Sequence, residues 1–409
     1  PIFHLSQSPD TIRGISSSLN VDNVRNAFKW TLLHNGLTAW ACYGVVGISL
    51  AYMSYKKGLP LSVRSVLLPL FGKYLSGGLG HTIDIVAILA TIVGLSVTIG
   101  YGVSQFASGL FNITQFDWLV GENSQPTIGA QLLGLLLIIG ASCLSAMSGL
   151  HKGIKWLSNI NMILSMVLIL FFMLFGASVF AFKTFFITIY DYLLALPEMS
   201  FTVWNSNDSE IIGKLQSWQS SWTIFYWAWW IAFAPFVGIF LARVSKGRTI
   251  REYVFGAIIV PSLICLVWFA FIGGTAIDLE LSGEAQGSII NTDISNQLFA
   301  TVNLITSEGF AATLSVIIVI LLLTFLITSA DSGILIINTL ASGGSSDRRE
   351  VKHIIVWGVI FASLIGTLLF AGGMDALRSV MIIGALPFSI VMVLMGISFL
   401  KTCLEDKDY

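Results

Sequence analysis

A chain of 409 residues that is 55% hydrophobic and only 11% charged does not fit a soluble domain, where about a quarter of residues carry charge. A net charge of -1, with no basic patch outside the flanks of apolar runs, excludes a nucleic-acid partner. Cys42, Cys143, Cys265 and Cys403 show no paired spacing and no Cys/His cluster, so neither a disulfide framework nor a zinc site is expected.

The apolar runs are continuous rather than alternating, which predicts membrane-spanning helices rather than barrel strands. Nine runs reach the length of about 20 residues that a span requires: 26 to 53, 82 to 110, 127 to 148, 156 to 181, 217 to 242, 254 to 277, 311 to 341, 353 to 372 and 376 to 400. The charges between them alternate. Lys56, Lys57, Arg64 and Lys73 follow the first run, Asp117 and Glu122 the second, His151, Lys152 and Lys155 the third. Asp191, Glu198, Asp208 and Glu210 dominate after the fourth, Arg243, Lys246, Arg248 and Arg251 follow the fifth, and Asp278, Glu280, Glu284, Asp293 and Glu308 the sixth. By the positive-inside rule Pro1 lies outside, the loop at 54 to 81 in the cytoplasm and Tyr409 inside.

In the first run, "WTLLHNGLTAWACY" places Trp40 and Tyr43 three residues apart on one helix face, with Gly36 and Gly47 allowing a neighbour to approach. The second run, "ATIVGLSVTIGYGVSQFASGL", is rich in small and hydroxyl residues, which at least permits tight packing. Thr91 and Ser96 are candidate ion ligands there, but nothing local selects them over Thr98 or Ser104. Residues 182 to 216 contain "KTFFITIYDYLLAL", which reads as an aromatic-rich amphipathic helix lying along the outer interface rather than crossing. The polar loop at 278 to 310 is expected to form a short helix near "SNQLFATVNLI".

The fifth run, "SSWTIFYWAWWIAFAPFVGIFLAR", carries the strongest signal. Trp218 and Trp222 near its outer end have the ordinary explanation of interfacial anchors. Trp227, Trp229 and Trp230 sit near mid-helix, and Pro235 removes a backbone donor and invites a kink. Aromatic faces attract cations, and cages of rings receive quaternary ammonium groups that cannot donate hydrogen bonds. With Trp40 and Tyr43, these rings suggest such a cage; ordinary helix packing is the competing explanation.

In the seventh run, "TFLITSADSGILIIN", the hydroxyls of Thr328 and Ser329 suit a hard cation such as sodium, whereas Asp331 is expected to be tied to a neighbouring helix. No P-loop, H-E-x-x-H, G-x-S-x-G or paired-carboxylate arrangement is present, so no enzyme is expected and no catalytic residue is assigned.

"WTIFYWAWWIAFAPFVGIFLARVSKGRTIREYVFG", "TSADSG" and "TIGYGVSQFASGL" together resemble the betaine/choline/carnitine transporter family across essentially the whole chain. The resemblance implies an all-α membrane protein with a LeuT-like fold of two inverted five-helix repeats. Here it would comprise nine transmembrane helices plus the outer interfacial helix. One transmembrane domain, 1 to 409, would divide into the remainder of an incomplete first repeat (1 to 181), the interfacial helix and outer loop (182 to 216) and the second repeat (217 to 409). It implies an aromatic box of Trp40, Tyr43, Trp229 and Trp230 with Phe233 as gate, sodium at Thr328 and Ser329, and a second sodium site at Thr91 and Phe236. Sodium would serve as coupling ion, with no cofactor. A homotrimer in the lipid of a bacterial inner membrane is implied as well.

Three departures from the family pattern stand out. The chain begins where a third span would have ended; Asn35 replaces a tryptophan expected five residues before Trp40; and Leu95 stands where the second ion site normally has a hydroxyl. Coupling to one sodium is therefore expected. The short stretch after the last run lacks a long basic tail, so tail-mediated osmotic activation is not expected. The sequence leads to a sodium-driven importer of a glycine betaine or choline type solute, with a sodium-independent carnitine-type exchanger and a solute-binding sensor or channel as alternatives.

Overall fold

Without water to satisfy backbone N–H and C=O groups, long apolar segments in hydrocarbon close their hydrogen bonds internally as helices. A computed structural model of the chain follows this rule, and it describes residues 1–121, 125–148, 155–205, 209–342 and 351–406. Glu122, His151, Lys152 and Asp208, which carry part of the expected loop charge pattern, lie outside the described residues.

The principal helices are α1 (Val24–Asn35), α2 (Leu37–Ala51), α3 (Gly78–Thr114), α4 (Ile128–Ser148), α5 (Lys155–Phe175) and α6 (Ser178–Phe201). They continue with α7 (Glu210–Val244), α8 (Ile250–Ser282), α9 (Gln297–Ile305), α10 (Glu308–Ala341) and α11 (Val351–Glu405). Among the described residues, nine helical stretches are long and apolar enough to cross a membrane, with α1 and α2 counted together within Val21–Lys56. Two of the nine expected runs, 353 to 372 and 376 to 400, lie in α11, which is two helices meeting at a kink at Gly372 and at Gly373, whose φ of +61° is open mainly to glycine. Helix α6 reaches the same length and apolarity.

The fourth expected span, 156 to 181, stops at Phe175 instead. The chain turns through Gly176 and Ala177, Thr275 Oγ1 accepts the Ala177 N–H at 3.1 Å, and Ser178 bonds the Met173 carbonyl. The new helix α6 starts there and carries an inverted amphipathicity. Thr184, Thr188, Asp191 and Tyr192 are buried, whereas Val179, Phe182, Phe186, Tyr190 and Leu194 are exposed. Asp191 accepts from Arg25 of α1 through both carboxylate oxygens, at 2.6 and 2.5 Å. Helix α6 is long and apolar enough to cross by composition, but α2 and α7 run parallel, so an odd number of crossings separates them; α3, α4 and α5 supply three, and α6 begins and ends on one face. The short helix expected after 278 is present as α9.

Helix α3 is the most buried of these stretches and serves as the common packing partner. Against α10 the contacts run antiparallel, with Leu326 over Gly102, Val319 over Gly109 and Leu95 over Gly333. The second half of α11 is also antiparallel, with Leu377 over Gly100 and Val93 over Gly384. Against α7, Gly94 meets Ala232 and Phe233.

Helices α2 and α7 run parallel and cross at Gly47 and Gly238. A Cβ on Gly47 would lie 3.1 Å from the Gly238 carbonyl oxygen and 2.2 Å from the Tyr253 hydroxyl, which donates to the Gly44 carbonyl at 3.1 Å. Pro235 does not break α7, contrary to the expectation of a kink. Its helix is continuous over Phe225–Val244, and the irregularity is a π-helical turn at Ser220–Ile224, ahead of the tryptophans. At the far end of α2, Lys57 and the Tyr52 hydroxyl bond the Asp406 carboxylate, and Lys56 lies 3.5 Å from it.

Gly47→Ala should therefore lower stability by about 1 to 3 kcal/mol through overpacking, read as a reduced melting temperature in detergent. Lys57 and Tyr52 hold the Asp406 carboxyl well below the usual carboxylate range, at about 2. A depressed pKa stabilises above the unfolded value, near pH 4 for Asp, and the benefit fades as pH falls toward the folded one. The melting-temperature difference between wild type and Asp406→Asn should be constant from about pH 8 to 5 and shrink below about pH 4.

Candidate solute and ion site

The site begins at the discontinuity between α1 and α2. Gly36 has φ -96° and ψ -137°, and a Cβ there would lie 2.6 Å from the Leu32 carbonyl oxygen and 3.1 Å from the Tyr192 hydroxyl. A break in a helix exposes backbone groups that must find partners. Here side chains supply them. The Leu37 N–H donates to the Tyr192 hydroxyl at 3.1 Å, the Leu33 carbonyl accepts from Thr38 Oγ1 at 2.5 Å, and the His34 carbonyl accepts from Trp230 Nε1 at 2.7 Å.

That last bond fixes the Trp230 ring beside α2. Its centroid lies 5.7 Å from Trp40 and 5.0 Å from Tyr43, and Trp40 lies 5.6 Å from Tyr43 at an interplanar angle of 87°. The three rings close a triangle, and the buried Trp40 indole N–H faces the Cys265 thiol of α8.

Trp229 is not part of this triangle. Successive residues on a helix differ by about 100° in direction, and Trp229 points to α3, donating to Thr98 Oγ1 at 2.9 Å and stacking on Tyr101 at 5.6 Å. Phe233 packs against Gly94 and meets Phe236 edge to face at 5.2 Å. Trp227 belongs to another cluster, with Trp30, Trp218 and Trp222. Trp218 is 4% exposed and donates to the Gln7 carbonyl at 2.7 Å, so it is an interior anchor rather than the interfacial one expected.

Thr328 and Ser329 lie on α10 where the register set by Gly102 with Leu326 and Gly333 with Leu95 brings them level with Ile99 and Gly100 of α3. That is within one residue of Thr98, the partner of Trp229. The Thr328 hydroxyl is shared between the Thr324 and Phe325 carbonyls, both at 3.0 Å, and accepts from Asn161 Nδ2 of α5 at 3.2 Å. Asn161 Oδ1 is buried and has no partner among the described residues. Asp331 is fully buried and accepts from Ser145 of α4 at 2.6 Å and from Ser332 at 3.0 Å, the tie to a neighbouring helix that the sequence suggested.

Thr91 is buried, its hydroxyl bonded to the Ala87 carbonyl at 2.8 Å. The antiparallel register of α3 and α7 carries it opposite Phe236, seven residues along α3 from Thr98, or about 10 Å. Leu95, between these levels, fills space against Gly333.

Residues 1–408 match the family model described as BCCT, betaine/carnitine/choline family transporter. The chain belongs to the betaine/carnitine/choline transporter family. It is 38% identical over 384 residues to a glycine betaine transporter of Bacillus subtilis, covering 94% of this chain and 71% of that protein. A glycine betaine/proline/choline transporter of Vibrio parahaemolyticus is 36% identical over 376 residues, covering 92% of this chain and 64% of its own length. A glycine betaine transporter of Acinetobacter baylyi is 34% identical over 411 residues and is covered over 58% of its length. This chain therefore spans between 58% and 71% of these three relatives. The family and its characterised members are transporters rather than enzymes, in line with the sequence reading.

For this betaine/carnitine/choline family member the structure brings Trp40, Tyr43 and Trp230 together and turns Trp229 and Phe233 onto α3 instead. Sequence reasoning missed Asn161, whose partnerless oxygen appears only once α5 packs on α10. It also missed Arg378, although a charge inside the expected span 376 to 400 was visible and such charges are functional suspects. Thr98→Val removes the acceptor of the Trp229 indole and should lower stability by about 1 kcal/mol. Chemical unfolding in detergent, followed by tryptophan emission, measures both the loss and the changed environment of the ring.

Proposed function

We propose that the chain forms the membrane core of a sodium-coupled secondary transporter that imports a small quaternary-ammonium compatible solute, of glycine betaine or choline type, by alternating access. The observation that carries this reading is the Trp40, Tyr43 and Trp230 triangle, three ring systems within 5.7 Å of one another and bound to a helix break. A trimethylammonium group cannot donate hydrogen bonds, so ring faces are the recognition it can use. The glycine betaine transporters of Bacillus and Acinetobacter and the glycine betaine/proline/choline transporter of Vibrio agree with such a solute.

In this reading the rings part to receive the ammonium head, Trp229 forms the wall toward α3, and Phe233 gates the path. Sodium sits at Thr328 and Ser329, where Asn161 Oδ1 offers a further oxygen, and favours the outward-open form. Thr91 and Phe236 form a second, weaker position; with Leu95 in place of a hydroxyl, one coupling ion is the reading supported best. The architecture is LeuT-like and inverted-repeat, with residues 1 to 181 in the first repeat, 182 to 216 at the outer interface and 217 to 409 in the second. In this reading the protein works as a homotrimer in the bacterial inner membrane, and the loop charges support a Pro1 side facing outward.

Uptake of labelled glycine betaine into proteoliposomes, with an inward sodium gradient and then with potassium replacing sodium, tests the proposal. Sodium-dependent uptake is expected; equal uptake in both salts would remove sodium from the mechanism, and no uptake of betaine or choline would sink the substrate assignment. Trp230→Leu should weaken solute binding by about 1 to 2 kcal/mol, the worth of one desolvated ring, measured by titration of intrinsic fluorescence.

A further inference from the structure

Two backbone irregularities meet at one side chain. The imidazole of His34, two residues before the Gly36 break, is fully buried, and its Nε2 lies 3.0 Å from the Thr223 hydroxyl in the π-helical turn Ser220–Ile224 of α7. A hydroxyl can donate or accept, so this hydrogen bond forms with either ring tautomer. The ring is stacked on Tyr226 at 5.2 Å with an interplanar angle of 6°, and Trp218 and His4 close in at 5.8 and 5.4 Å, so packing holds it in place.

His34 thus bonds α7 twice, through its ring to Thr223 and through its carbonyl to the Trp230 indole at 2.7 Å. Thr223 and Trp230 are seven residues apart, which is about two helical turns, or 10 Å, along one face. The ring bond is not the one that a core chosen for stability would make. Nδ1 of His34 is buried with no partner among the described residues, as is Nδ1 of His4 beside it. A buried polar group left unpaired costs more than a hydrogen bond returns net, and an apolar pair of the same shape at both positions would pack without that cost. What the polar pair supplies instead is direction, at a π-helical turn of the kind that is frequent at functional positions.

We propose that the His34 imidazole is a positioning residue for the solute site: its bond to Thr223 holds the end of α1 against α7 at the angle that presents the His34 carbonyl to Trp230. The inference rests on the transport reading above and adds to that site a residue that acts through another. Trp230 is the member of the triangle that α7 supplies, and its indole N–H is bonded to that carbonyl. A carbonyl at a helix end has no intrahelical partner to hold its direction. Here the side chain of the same residue does so, and Thr223 is the far anchor. With the anchor gone, the ring of Trp230 gains freedom that solute binding has to remove again, and that ordering appears as lost affinity. Supporting bonds of this kind are what keep a binding group within a fraction of an ångström of its productive place.

The experiment measures glycine betaine binding by the full chain in detergent, through tryptophan fluorescence, for wild type, Thr223→Val, Thr223→Ser and His34→Phe, together with the melting temperature of each. The indole N–H signal of Trp230 is followed by nitrogen–proton correlation NMR and assigned by its loss in Trp230→Phe. Thr223→Val and His34→Phe, which keeps the stack on Tyr226, should each weaken binding about three- to tenfold, as one lost hydrogen bond does. Both should move the Trp230 signal without lowering the melting temperature, and Thr223→Ser, which keeps the hydroxyl, should bind as wild type does. Once Trp230→Phe has removed the indole, Thr223→Val should weaken binding no further. A lowered melting temperature with unchanged affinity and an unmoved Trp230 signal makes His34 an ordinary core residue and overturns the proposal, as does full additivity of Thr223→Val with Trp230→Phe. If wild type binds neither glycine betaine nor choline, the transport reading fails and the Trp230 signal decides the positioning role: a shift in Thr223→Val but not in Thr223→Ser supports it, and no shift overturns it. If His34→Phe is not monodisperse, the two Thr223 variants carry the same criteria.

Discussion

The candidate solute site depends on one hydrogen bond across a broken helix. The interruption at Gly36 turns a backbone carbonyl, His34, from an intrahelical acceptor into a partner for Trp230 of α7. Without the break that carbonyl would be spent within the helix, and the Trp230 indole N–H would need another acceptor or sit unpaired. Because Tyr192 of α6 closes the other side of the same break, three helices are held at one point. The aromatic triangle is the consequence: Trp40 and Tyr43 follow Gly36 on α2, and Trp230 is brought to them from α7.

The second constraint is α3. It contacts α7, α10 and the latter half of α11 along antiparallel registers in which a glycine repeatedly meets a large aliphatic side chain. In hydrocarbon, helices gain little from hiding apolar surface from one another, so close packing and side-chain hydrogen bonds carry the association. The shared register aligns groups that are far apart in sequence, with Trp229 and Ser329 at nearly one level and Phe236 level with Thr91. It also sets Leu95 as a packing residue against Gly333.

Buried polar groups in this membrane domain divide into those that are tied down and those left with capacity. Asp331 is tied, held by Ser145 and Ser332. Asn161 Oδ1 has no partner among the described residues and lies beside Thr328, singled out for ion binding. Arg378 is engaged by two rings, the Tyr101 hydroxyl and an ion pair with Asp375 3.9 Å away. In a medium that penalises unpaired polar groups, a partnerless oxygen such as Asn161 Oδ1 is where a cation has most to offer.

Much of the molecule was legible from the chain alone. Uninterrupted apolar runs made the helical class and the membrane setting unavoidable, the Trp-rich run in α7 named the family, and the Trp40/Tyr43 spacing placed two rings on one face because helical geometry fixes which residues share it. Sequence could not separate Trp229 from Trp230, because the direction of each ring matters only against a neighbour, and α3 and α2 claim them separately. Nor could it see that the run from 182 begins earlier and buries its polar face, since Asp191 becomes an inward residue only with Arg25 opposite. Composition and periodicity thus determined what the segments are; only the tertiary structure decided which polar groups meet, because that depends on helix register, a relation between segments that no single segment encodes.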